Sequence, residues 1–216
     1  MRIECHLVEK NIPLLVDGAH SAYFKFLDYN EYPEYKHPAD CDADLCCTSA
    51  HKTLPSLTGT AYLHVNSSFA DILPEVKHAM DLFGSSSPSY ILMASLDLFN
   101  QKAEEYKKDV QSFCEKTKLL KKEISDMGFK VHPSDPLRIT VFSDSRLKGS
   151  DFAASLREHK CEVECFDEEY VIMMLTPYNT DKDLTRIRES FSSLVNDSLS
   201  TKAPASSEFN CLVNFK

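Results

Sequence analysis

The apolar positions of this chain come in two textures that change over at about residue 129. In the first part, "IPLLVD" (12–17) and "ADLCCTS" (43–49) are short continuous apolar runs bounded by turn residues. That is the pattern of strands covered on both faces by helices. "RIECHLVEK" before the first run reads as the end of a helix, and an aromatic, proline-punctuated loop, "AYFKFLDYNEYPEYKHP", separates the two runs. A third strand, "TAYLHV", follows. "SSFADILPEVKHAM" predicts a serine-capped helix interrupted or kinked at Pro74. Beyond Gly84 and three serines, a second serine-capped helix starts around "SYILMASLDLF" and runs through alternating charges to a stop at Gly128.

From Phe129 the segments shorten to the strands "FKVH", "LRITVF", "CEVECF" and "YVIMML", with helices at "SDFAASLREH" and "DKDLTRIRESFSSLV". The expected organisation is an α/β part with a mostly parallel sheet over 1–127, a small α+β domain over 128–200 and a tail over 201–216. A fully covered strand needs neighbours on both sides, so the chain is expected to open in the middle of a sheet.

Composition narrows the partners. At 216 residues the chain can bury a sizeable core. With 24 basic against 33 acidic residues, net −9, and no basic block interleaved with aromatics, nucleic acid is excluded as a partner. No apolar run approaches the roughly 20 residues that span a bilayer, and Met1–Cys5 leads into no signal-peptide core. A cytoplasmic protein is expected. The eight cysteines, at 5, 41, 46, 47, 114, 161, 165 and 211, form no CxxC pair. Cys46 and Cys47 are adjacent on a strand and point to opposite faces, so they cannot share one metal. Reduced, buried thiols and no metal are expected. Cys161 and Cys165 would share a face only in a helix, and their Val and Phe neighbours favour strand.

The chemistry gathers at strand ends. Asp17 closes the first apolar run, and Ser49, His51 and Lys52 stand at the end of the second. Open α/β sheets bind ligands at the carboxyl edge of parallel strands. A lysine and an aspartate converging there suit pyridoxal phosphate: the lysine forms the Schiff base, and the carboxylate keeps the pyridinium nitrogen protonated.

"LLVDGAH", "DADLCCTSAHKTLPSLTGTAYLHV" and "GSSSPSYILMASLD" together closely resemble the Orn/Lys/Arg decarboxylase family of fold type I pyridoxal-phosphate enzymes, a likeness that extends to about residue 195. The resemblance implies the later part of that fold's large domain followed by its small domain. It makes Lys52 the Schiff-base lysine and Asp17 the pyridinium partner. Ser49 and His51 would contact the cofactor's phosphate or imine region, with His51 or Lys52 returning a proton to the substrate, and His20 would lie near the ring. "SSSPS" resembles the segment that family members lend across a dimer interface, which makes Ser86 and Ser87 phosphate contacts in a neighbouring site. Arg138 is a weaker candidate for a substrate carboxylate. A basic amino acid is the implied substrate, and a homodimer or complementing chain the implied partner.

Departures from the family pattern set the rival readings. No phosphate-binding serine/glycine turn and no ring-stacking side chain is visible before Asp17, and Gly18 and Ser21 stand where acidic and glycine residues are common in relatives. A non-catalytic fragment or partner-binding relative is one alternative. A cysteine desulfurase or aminotransferase-like enzyme, which also places an aspartate before a lysine loop, is another; "KTLPSLTG" followed by "SSSPSY" favours the decarboxylase. The chain purified alone is expected to bind the cofactor weakly and to release no carbon dioxide.

Overall fold

The computed structural model describes residues 12–85, 87–144 and 147–199. The helix expected before residue 12 and the tail after 200 lie outside the described residues. The chain divides into two compact units, the first formed by residues up to Lys118 with short returns at 135–137 and 176–178, the second by the rest.

In the first unit, β1 (Leu15–Asp17), β2 (Leu45–Ser49) and β3 (Ala61–Val65) form a sheet in that order. β1 and β2 pair in parallel, with Asp17 opposite Cys47. β3 returns antiparallel to β2 through a one-turn helix, α1 (Ala50–Thr53), and the loop after it. β2 alternates as a half-covered strand, Cys46 and Thr48 buried and Cys47 exposed. The expectation of two covered faces fails for β1, where Leu15 is 68% exposed. Its apolar residues are there, but among the described residues β2 is its one sheet neighbour and no helix covers Leu15.

The segment after β3 also departs from expectation. Asn66, not a serine, caps it, its side chain accepting from Ser68 N–H at 3.1 Å. A 3-10 stretch (Ser67–Ile72) then gives way to α2 (Leu73–Phe83), with Pro74 in the first turn of α2. A proline is tolerated there because its missing N–H has no intrahelical partner to lose.

α3 (Tyr90–Asp126) is a single 37-residue helix, as the charge pattern predicts. Phe99, Tyr106, Val110, Phe113, Thr117, Leu120 and Ile124 form its buried stripe at spacings of three, four and seven. The rings of Phe99 and Tyr106 meet Phe26 edge-on, at 5.7 and 5.2 Å. The helix ends in a Schellman motif. Gly128, at φ +95°, donates to Ser125 O (2.9 Å) and Phe129 donates to Ile124 O (3.4 Å).

The second unit is an antiparallel sheet, β4 (Lys130–His132), β5 (Arg138–Phe142), β7 (Tyr170–Met174) and β6 (Cys165–Phe166) in spatial order, with α4 (Gly149–Glu158) and α5 (Asp181–Leu199). Ile139, Val141, Val171 and Met173 alternate inward, and Phe129, Phe152 and Phe191 cluster with centroids 5.1–6.5 Å apart. The strand expected over "CEVECF" shrinks to Cys165–Phe166, because Cys161 is buried in the turn leaving α4.

Candidate active site

Parallel pairing of β1 with β2 brings Asp17 to the sheet edge at which Ser49 and α1 begin. Gly18 N–H donates to Cys47 O at 2.8 Å, continuing the ladder one residue past Asp17. There the chain leaves the sheet. Ala19 N–H donates to Asp17 Oδ1 (3.1 Å), and Ser21 folds back on Gly18 O through both its N–H (2.8 Å) and its hydroxyl (2.9 Å). This turn holds one Asp17 oxygen and places His20 beside the lysine: Lys52 Nζ lies 3.4 Å from His20 Nε2.

α1 exists because Ala50, fully buried, starts a helical turn that Leu54 N–H closes on Ala50 O at 2.8 Å. Buried Thr60 organises the other side. Its carbonyl takes Ala50 N–H (3.1 Å) and His51 Nδ1 (2.8 Å). A carbonyl only accepts, so His51 carries its proton on Nδ1 and in the neutral ring presents Nε2 as a base. The Ser49 hydroxyl makes no capping bond to the helix it precedes. The loop beyond is braced from α3, where Tyr106 donates its hydroxyl to Thr53 O and Ser95 Oγ accepts from Leu57 N–H at 3.3 Å. Thr60 and Tyr106 are the contributors that sequence reasoning missed. Their signal was weak, since one acts through a backbone carbonyl and the other from 54 positions beyond Lys52.

The structure thus joins Lys52 with His20 and sets Asp17, Ser49 and His51 on the same strand ends. Ser87 is exposed in the stretch before α3, its N–H donating to Ser85 Oγ at 3.2 Å, and no described hydrogen bond links it to Asp17 or Lys52. Ser86 lies outside the described residues. Arg138 is half-buried on β5 of the second unit. Asp17 and Lys52 are both exposed.

The topology is that of the later part of a fold type I pyridoxal-phosphate-enzyme large domain followed by an α+β unit, with Asp17 at the end of one strand and Lys52 just beyond the end of its parallel neighbour. The chain belongs to the Orn/Lys/Arg decarboxylase family, whose major-domain model matches residues 2–143. It is 31% identical over 174 residues to the uncharacterised protein YaaO of Bacillus subtilis, covering 76% of this chain and 35% of that protein. It is 29% identical to an arginine decarboxylase of Bacillus anthracis over 188 residues, covering 80% of this chain and 37% of the enzyme. The constitutive lysine decarboxylase of E. coli superposes with a TM-score of 0.68 at 13% identity, over 88% of this chain and 34% of that structure. The chain therefore spans little more than a third of the length of these relatives. Among the described residues no helix is long and apolar enough to cross a membrane.

Proposed function

We propose that this chain provides the lysine-bearing part of a pyridoxal-phosphate-dependent decarboxylase that removes the α-carboxylate of a basic amino acid in the cytoplasm, as a dimer or with a complementing chain. The observation that carries the reading is the 3.4 Å approach of Lys52 Nζ to His20 Nε2 at the strand edge that also carries Asp17.

The residues fit the cofactor by their donor set. Lys52 supplies the amine that holds it. Asp17, with one oxygen committed to Ala19 N–H, has the other to keep a proton on the ring nitrogen. Ser49 supplies a hydroxyl donor for phosphate, and Ser86 and Ser87 would serve a neighbouring site. When bound, pyridoxal phosphate supplies an electron sink for the pair left behind as carbon dioxide departs. His20 Nε2 can exchange a proton with Lys52 Nζ, which must spend time as a free amine to work. His51, its tautomer fixed by Thr60 O, can hold a proton at Nε2 and return it to the substrate's α-carbon. Arg138 is the second unit's candidate for a substrate carboxylate. Family membership supports the decarboxylase over the desulfurase reading.

Asp17→Asn in the complete enzyme tests the assignment. An opposite charge within contact distance shifts a pKa by about 1–3 units, so its loss is expected to lower carbon dioxide release from lysine, arginine or ornithine about 10- to 1000-fold. Unchanged turnover would remove Asp17 from the role.

A further inference from the structure

A second cluster of chemically able side chains lies elsewhere in the first unit. Cys46 on β2 and His64 on β3 are paired in register, and His37 caps the 3-10 turn Pro38–Asp40. One ligand-capable atom from each lies within 4.8 Å of the other two. His37 and Cys46 are only 3% and 2% exposed, and the two imidazole rings stand 4.9 Å apart at 74°. Burying an imidazole and a thiol beside a second, half-buried imidazole costs desolvation that apolar side chains in these places would not incur.

The surroundings are those of a ligand set. Buried Thr48, on the same face of β2 as Cys46, places its hydroxyl 3.2 Å from His64 Nε2. A partner on one ring nitrogen that leaves the other for a metal is the usual arrangement of a ligating histidine. Ala39 N–H donates to His37 Nδ1 at 3.2 Å, so a cation bound at that nitrogen would take the place of this hydrogen bond. A cleft lined by Ala39, Ala43, His64, Val65, Asn66 and Ser67 opens beside His64 and offers a path in.

We propose that His37, Cys46 and His64 bind a zinc-class divalent cation, with a water from the cleft as fourth ligand. Bonds of about 2.0–2.3 Å require neighbouring ligand atoms about 3.5 Å apart, so binding draws the cluster together by about 1 Å. The cation displaces the thiol proton and ties the His37–Asp40 segment to β2 and β3. The spacing gave no warning of this, because the ligands come from three elements 9 and 18 positions apart.

Cobalt(II) titration of the chelator-stripped full chain tests the site. One equivalent is expected to bind with a near-ultraviolet thiolate-to-cobalt absorption that zinc removes. Cys46→Ser and His64→Asn should abolish the absorption, while Cys47→Ser, on the opposite face of β2, should retain it. If Cys46→Ser fails to fold, His64→Asn, at a half-exposed position, carries the test. No absorption in the wild-type chain, one that survives His64→Asn, or one lost in Cys47→Ser would overturn the site.

Discussion

At the scale of single residues, the turn after Asp17 shows a local exchange. A Cβ on Gly18 would sit 2.4 Å from Ser21 Oγ, which instead bonds Gly18 O. Gly18 thus gives Ser21 the space in which to fold back. Gly18→Glu alone is expected to displace that hydroxyl and cost about 1 kcal/mol, the worth of the hydrogen bond. Ser21→Gly added to it should recover most of the loss, and denaturant melts of the two single variants and the double give the coupling directly. Additive losses would show that the two positions do not share this space. The placing of Asp17 and Lys52 at the ends of neighbouring strands was legible in the sequence, because the two apolar runs end at them, whereas His51 was nominated by the family resemblance. What sequence could not supply was the tautomer of His51, which depends on one backbone carbonyl, and the meeting of His20 with Lys52, which depends on how the turn folds.

At the scale of elements, two features of the second unit make their own predictions. α5 begins with Thr180 and Asp183 bonded reciprocally: Thr180 N–H donates to Asp183 Oδ2 at 2.7 Å and Asp183 N–H to Thr180 Oγ1 at 3.3 Å. The backbone N–H and then the hydroxyl of Thr180 lower the Asp183 carboxyl below its usual range. A depressed folded-state pKa means stability that is present above the unfolded value and lost as pH falls through the folded one. Acid melts should therefore show the α5 contribution fading below about pH 4, and Asp183→Asn should flatten that part of the profile. An unchanged profile would place the acid sensitivity elsewhere. Gly149 opens α4 where a Cβ would lie 2.1 Å from Asp167 O and 2.5 Å from Tyr170 O. Both are backbone atoms, so Gly149→Ala must move α4 off the β6–β7 turn. A loss of about 1–3 kcal/mol is expected, measured by thermal melting. Elements with strong local signals, such as α3 with its stripe and Gly128 stop, were readable from sequence. The strand at β1 was readable too, but not its lack of a cover, and the shortened β6 was not, because Cys161 stays in the turn leaving α4 while only Cys165 and Phe166 pair with β7.

At the scale of the whole molecule, the chain covers 35% and 37% of the two curated relatives described above, and its site is open. Binding sites ordinarily bury most of a ligand's surface, whereas Lys52 and Asp17 are both exposed. The isolated chain is accordingly expected to hold pyridoxal phosphate weakly and to release no carbon dioxide. Phe83 (90% exposed), Tyr90 (85%) and Ile91 (71%) flank the serine segment of the first unit. Large apolar side chains left in water on both sides of one short segment favour association, so sedimentation is expected to show self-association that Phe83→Ser with Ile91→Ser reduces; a monomer at all concentrations would contradict this. The measurement that reaches the central claim most directly is borohydride reduction in the presence of pyridoxal phosphate, on the chain assembled with whatever completes its site, followed by peptide mapping. One pyridoxyl group is expected, on Lys52, and none at that position in Lys52→Ala; a label spread over other lysines, with Lys52 unmodified, would remove Lys52 from the role.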